Sequence, residues 1–256
     1  MFDRPLEHHP LALFAFAFVV QALAAYLGRV IGRRMAPDAD SNRADLTAIV
    51  GPTMTLLALA TGFTLAMAVG NFNQRRSLED AEAAAISTEY MRVDLLMTDQ
   101  AAQARDLLGR YIRQRILFYQ VDDPARLAQI RSQTEALQSQ LWSVVVRAPM
   151  ASHTPVNPLA VAGMNDVLNS EAHTDAAWGY HIPVTVWLLL LVVAFAGNAL
   201  FGFSERRRNI LILMAFPLII AVPFFLISDV DSPRGGLIRV VPVNLIAHAQ
   251  LLKPNT

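Results

Sequence analysis

From Leu46 to Gly70 the chain reads LTAIVGPTMTLLALATGFTLAMAVG and carries no charged side chain. A helix rises about 1.5 Å per residue, so this run is long enough to cross a bilayer with some tilt. The text that follows, NFNQRRSLEDAEAAAISTEYMRVDLLM, is rich in Ala, Glu, Leu and Arg and holds neither Gly nor Pro. The sequence therefore predicts one helix that leaves the lipid and continues in water as far as Met97, joining the membrane part and the aqueous part mechanically.

Projecting that span at about 100° per residue puts Thr61, Thr64, Ala68, Asn71 and Arg75 on one stripe, with Arg76 beside its end. These six are the candidate lining of an aqueous path. The alternative is that the threonines bond back to carbonyls of their own helix and the arginines snorkel at the lipid edge. Ala58, Gly62 and Ala66 form a flank of small residues four apart, which suits close approach of another helix backbone. Leu56, Leu59, Phe63 and Gly70 fall roughly opposite the polar stripe, as lipid-facing or bundle-facing surface.

The rest of the composition agrees with a membrane protein: 54% of the 256 residues are hydrophobic and 16% charged, too apolar a balance for an ordinary soluble domain. Net charge is zero with scattered arginines, so no nucleic-acid partner is expected. The chain has no Cys, which excludes disulfides, thiolate nucleophiles and zinc-thiolate sites together.

Three more spans are expected. The first is Leu11 to Gly28, read as a retained membrane helix because Asp3 and Glu7 spoil the basic lead of a signal peptide. Within it Gln21 is placed to bond across helices. Ile182 to Phe203, with Pro183 and Trp187 at its start and Asn198 inside, is the third; Ile210 to Ile227, with Pro217 and Pro223 in its interior, is the fourth. Between the second and third lies a region of helical periodicity. Asp45 is the expected cap of the second span, and Thr98 with Asp99, Asp123 with Pro124, and Asn157 with Pro158 are the start signals of this region. The apolar positions Ala104, Leu107, Leu108, Tyr111, Ile112 and Phe118, then Leu127, Ile130, Leu137, Leu141 and Val144, recur at helical spacing.

The fold class expected is an all-α integral membrane protein with four transmembrane helices and an inserted soluble helical bundle. Its parts are residues 1–72 (first two spans), 73–180 (the insert), 181–228 (last two spans) and 229–256 (a Gly turn and an amphipathic tail).

Few patterns suggest chemistry. His8, His9, His153, His173, His181 and His248 make no paired helical metal motif, and Glu171, His173 and Asp175 are spread around a helix. No nucleophile elbow, P-loop or dinucleotide fingerprint appears. No catalytic residue, metal or cofactor is expected, and the chain is read as not an enzyme. In the tail turn DVDSPRGGLIRV, Asp229, Asp231 and Arg234 sit beside two glycines. They read as an ion-pair turn that pins the tail, with an ion-coordinating site as the alternative.

Taken together, GFTLAMAVGNFNQRRSLEDAEAAAISTEYMRVDLL, the helix RDLLGRYIRQRILFY and the turn DVDSPRGGLIRV resemble the bestrophin-like membrane proteins of bacteria, a family described as a domain of unknown function. The resemblance runs from Ala48 to Val240. Gly62, Phe63, Arg75, Arg76, Glu82, Ala83, Ile86, Asp231, Pro233, Gly236, Leu237 and Ile238 stand where that family has recurrent residues. It reaches more faintly to true bestrophins, pentameric anion channels whose second helix lines the pore and continues into a cytosolic helical domain. Where bacterial bestrophins have an Arg-Trp-Trp run after the pore helix, this chain has Gln74, Arg75, Arg76 and Ser77. The resemblance implies a homo-oligomer in membrane lipid, with small anions passing along an axis lined by the second helix. A non-conducting scaffold or sensor whose helical insert binds a partner is the alternative, and the cell inner membrane is the expected location.

Orientation rests on arginine counting. Arg29, Arg33, Arg34 and Arg43 in the first loop, with Arg206, Arg207 and Arg208 in the third, favour a cytoplasmic side for both short loops. Arg4, Arg75, Arg76, Arg234 and Arg239 nearly balance them and leave the side of the insert open. Because the chain has no Cys, Ser41→Cys and Ser204→Cys can be labelled singly in intact cells. Both should resist an impermeant outside reagent; labelling of both reverses the orientation.

Overall fold

The computed structural model describes residues 10–34, 40–151, 157–205 and 209–252. Among them every regular element is helical: α1 (Pro10–Arg34), α2 (Asp40–Arg92), a 3-10 turn (Val93–Leu95), α3 (Thr98–Gln120), α4 (Pro124–Ala151), α5 (Asn157–Trp178), α6 (Val184–Ser204), α7 (Ile210–Asp231) and α8 (Val243–Leu251). Four helices are long and apolar enough to cross a membrane, namely α1, α2, α6 and α7. The side chain of Arg43, and Arg4, His8, His9, His153 and Arg206 to Arg208, lie outside the described residues.

Helix α2 runs unbroken for 53 residues, with Pro52 inside it. It starts at Asp40, five residues before the expected cap at Asp45, and ends at Arg92 rather than Met97, where Val93 to Leu95 tighten into the 3-10 turn. Start signals elsewhere act as their chemistry dictates. The Arg126 amide donates to Asp123 Oδ2 at 2.7 Å just before Pro124 opens α4. Asn209 caps α7 by accepting from the Leu211 amide at 2.9 Å. Helix α3 differs: Met97 occupies its cap position, and Thr98 is already inside the helix.

The chain divides into two compact units, residues 1–71 with 181–239, and residues 72–180 with 240–256. In the first, α1 and α6 approach backbone to backbone. A Cβ on Gly28 would strike the Ala199 carbonyl, and one on Gly202 would strike the Ala25 carbonyl, so neither position has room for a side chain. Inside this seam Asn198 Nδ2 donates to Gln21 Oε1 at 3.3 Å and to the Ala194 carbonyl at 2.8 Å. The buried apolar core here is small, formed by Ala17, Leu57, Leu190, Ala194 and Phe224. Leu188, Leu189, Val192, Leu211, Ile219 and Val222 face outward, an inside-out distribution suited to lipid.

The second unit has a conventional interior. Ile86 and Val93 pack with Leu107, Leu108, Tyr111, Ile112 and Phe118 of α3, Ile130, Leu137, Leu141 and Val144 of α4, Met164 and Val167 of α5, and Leu245 of α8. These include nearly all the positions that helical spacing nominated, with Leu127 partly buried against them.

Replacing Gly28 with Val should lower stability by about 3 kcal/mol or more, because the clash is with main chain that cannot rotate away. Thermal unfolding of the purified protein in detergent measures it. Gly109→Ala, whose Cβ would meet nothing nearer than Arg113 Nη1 at 3.8 Å, is the matched control and should be neutral or slightly stabilising.

Candidate functional site

One face of α2 is turned into the protein along its length. In the first unit that face carries Leu57, Thr64 and Ala68, all buried. Thr64 donates its hydroxyl to the Ala60 carbonyl at 2.8 Å, the back-bond that satisfies a threonine without water. Thr61 and Asn71 are half-buried at the edge of this face. The small flank Ala58, Gly62 and Ala66 lies on the open side, and nothing of the chain stands within 4 Å of a Cβ placed on Gly62. The polar stripe thus divides: Thr64 and Ala68 are buried within the chain, while Thr61 and Asn71 are half-buried.

The reason becomes plain in the second unit, where the same helix face continues as Arg75, Glu79, Glu82, Ile86 and Glu89, all buried. These positions are spaced four, three, four and three, the repeat that keeps side chains on one face. Arg75, Glu79 and Glu82 each serve a different element. Arg75, only 1% exposed, donates from Nε to the Ala177 carbonyl at 3.2 Å and from Nη2 to the Tyr180 carbonyl at 2.5 Å. It places a cation on the carbonyl end of α5, where the helix dipole favours one. Arg76 is exposed. Of the expected pair, therefore, Arg75 is a helix-terminating brace and Arg76 alone remains at the surface.

Glu79 does the complementary job. Its carboxylate accepts from the Leu245 amide at 2.9 Å and from Asn244 Nδ2 at 2.8 Å, so it caps the amide end of α8 from another part of the chain. Two further contacts hold α8 down, between the Ser87 hydroxyl and His248 Nδ1, and from the Tyr90 hydroxyl to the Leu252 carbonyl at 3.3 Å. The tail segment docks on the helical unit.

Glu82 lies at the centre of a buried network. It accepts from Arg115 Nε and, at 3.3 Å, from Arg115 Nη2, and also from the Tyr119 hydroxyl at 3.3 Å and the Thr174 hydroxyl at 3.2 Å. Arg115 also reaches Glu171 at 3.4 Å, and its guanidinium lies 4.5 Å over the Phe118 ring. Burial is the largest single influence on Arg115 and acts to strip its proton, but the charge and hydrogen bonds of Glu82 together with Tyr111 and Glu171 outweigh it and the net shift is upward. Burial likewise raises the Tyr111 and Tyr119 hydroxyls, which stay neutral, and raises the Glu171 carboxyl.

The tail turn is also spent on structure. Asp229 and Asp231 form the end of α7, which runs four residues past the expected Ile227. Asp229 accepts from the Leu237 amide at 2.6 Å and the Ile238 amide at 3.0 Å, and Gly236 sits so close to the Asp229 carbonyl that a Cβ would collide with it. Asp231 accepts from the Ile182 amide at 3.1 Å and has His181 Nδ1 at 3.8 Å. Arg234 is half-buried in the same turn. Among the described residues no group of three or more His, Asp or Glu is placed to hold a metal.

Glu79, Glu89 and Arg115 are not among the candidate site residues that the sequence suggests. The available signal was the spacing of Arg75, Glu79, Glu82 and Glu89 by four, three and seven, which gathers charges on one face as no solvated helix needs. Removing one partner of the Glu82 and Arg115 pair leaves a buried charge unmatched, so Arg115→Met should cost about 3–5 kcal/mol. Glu82→Gln combined with Arg115→Met should cost less than the two single changes added, as a double-mutant cycle of thermal unfolding reads out.

A family model described as a Bestrophin-like domain matches residues 14–245. Among solved structures, a variant of a bacterial bestrophin homologue from Klebsiella pneumoniae superposes with a TM-score of 0.65 at 13% identity, covering 94% of this chain and 94% of that one. A second variant of that homologue gives 0.62 at 13% identity, over 93% and 95%. Curated proteins offer no sequence match. With the family pattern spanning both units and the fold shared over nearly the whole length, the chain belongs to the bestrophin-like family of all-helical, multi-pass membrane proteins.

Proposed function

We propose that the chain is one protomer of a homo-oligomeric channel in the cell inner membrane, with α2 of each copy facing a central axis and small anions passing along it. Residues 72–180 with the tail would then stand in water as the inserted helical bundle. Family membership supports a channel-type protein, and the observation that carries the reading further is the open face of α2. Leu59, Gly62, Ala66 and Gly70 share that face, are exposed, and meet nothing of their own chain at either glycine. A strip of small and apolar residues left open on a membrane helix suits close approach of identical copies about an axis. Such a strip makes a hydrophobic constriction that gates by wetting and drying.

On this reading Thr61 and Asn71 flank the path, Thr64 and Ala68 position the helix, and Arg76 supplies the positive ring at the mouth. Rings of Arg attract anions and repel cations. Purified protein in planar bilayers should conduct with anion preference. Arg76→Glu should move the reversal potential toward cation preference with the fold intact, whereas Arg75→Glu should lose the protein through the α5 end. No conductance above empty-liposome controls, with an axis filled by lipid or packed side chains, would leave the non-conducting scaffold or sensor.

A further inference from the structure

Glu89 is the one member of the charged row on α2 whose carboxylate meets no donor. It is 0% exposed, and both of its oxygens lack a hydrogen-bond partner. The wall in front of it is Gly163 of α5, where a Cβ would collide with Glu89 Oε2 and lie 2.6 Å from Arg92 Nη1. A buried ionised carboxylate without donors costs several kcal/mol, whereas the neutral acid costs far less. Two charged groups act on it: Arg92, three residues on along the same helix, and Asp166, three residues beyond Gly163 on α5. Those two face each other, with Arg92 Nη1 3.6 Å from Asp166 Oδ2.

We propose that Glu89 is a proton-operated latch between α2 and α5: as a neutral acid it seals against Gly163, and loss of its proton to solvent draws Arg92 off Asp166 and loosens that contact. Burial is the main cause of an acid constant pushed up to about 8; Arg92 relieves part of the push and Asp166 adds to it. The sign follows. An unfolded chain ionises this group near the ordinary 4.5, so the stability it confers is complete below that value, falls as pH rises, and is lost through about 8.

Infrared difference spectra of the full chain in detergent, titrated with base, should show a protonated-carboxyl band that disappears with a midpoint near 8 and is missing from Glu89→Gln. Hydrogen exchange in the first half of α5, corrected for the intrinsic rate, should speed up about threefold or more across that midpoint and stay level in Glu89→Gln. The Asp166→Asn variant tests the coupling without touching the buried wall, since that side chain is 64% exposed. It frees Arg92 for Glu89 and should lower the midpoint by about one unit. A midpoint in the ordinary carboxylate range, an alkaline loss of protection that persists in Glu89→Gln, or a midpoint unmoved by Asp166→Asn would each overturn the latch.

Discussion

Burying a charge is tolerable only when something of opposite sign, or an oriented dipole, is fixed beside it, and α2 buries Arg75, Glu79 and Glu82 within about two turns. That constraint organises the second unit. The carbonyl end of α5 must reach Arg75, the amide end of α8 must reach Glu79, and Arg115 of α3 must reach Glu82. Apolar packing among Ile86, Leu108, Ile112 and Leu141 supplies the bulk of the driving force but would accept many rotations of one helix against another. The charges accept one.

The other unit solves a different problem. A segment surrounded by lipid gains little from hiding leucine, so its helices are held by backbone proximity and by polar side chains that would otherwise be stranded. Gly28 and Gly202 provide the proximity, and Gln21 with Asn198 the polar contact. The apolar core there is small, and many of its large apolar side chains face outward instead.

Much of this was legible in the amino-acid sequence because it depends on local rules. Span lengths, the Asp123 and Pro124 start, and the core positions of α3 and α4 all follow from hydropathy and helical repeat. Helical projection also puts Thr64, Ala68 and Arg75 on one face, and all three are buried. What projection lacks is a direction: it says which side chains stand together, not whether they look inward or outward. Thr64 fits either side, since its back-bond to Ala60 satisfies it anywhere. The duties of Glu79 and Glu82 were invisible for a related reason, because an acid beside an arginine on a helix always has a local partner to suggest, while the real ones lie 166 and 33 positions away.

That separation of 166 positions matters for how the protein is made. A ribosome delivers Glu79 long before Leu245, so the carboxylate must stay hydrated while α3, α4 and α5 emerge and begin to collapse around it. The face of α2 beside it is therefore held open by solvation until α8 arrives to displace the water. Completion of this unit waits on α8, and a chain released short of that helix would carry a solvated acid where a finished interior should be.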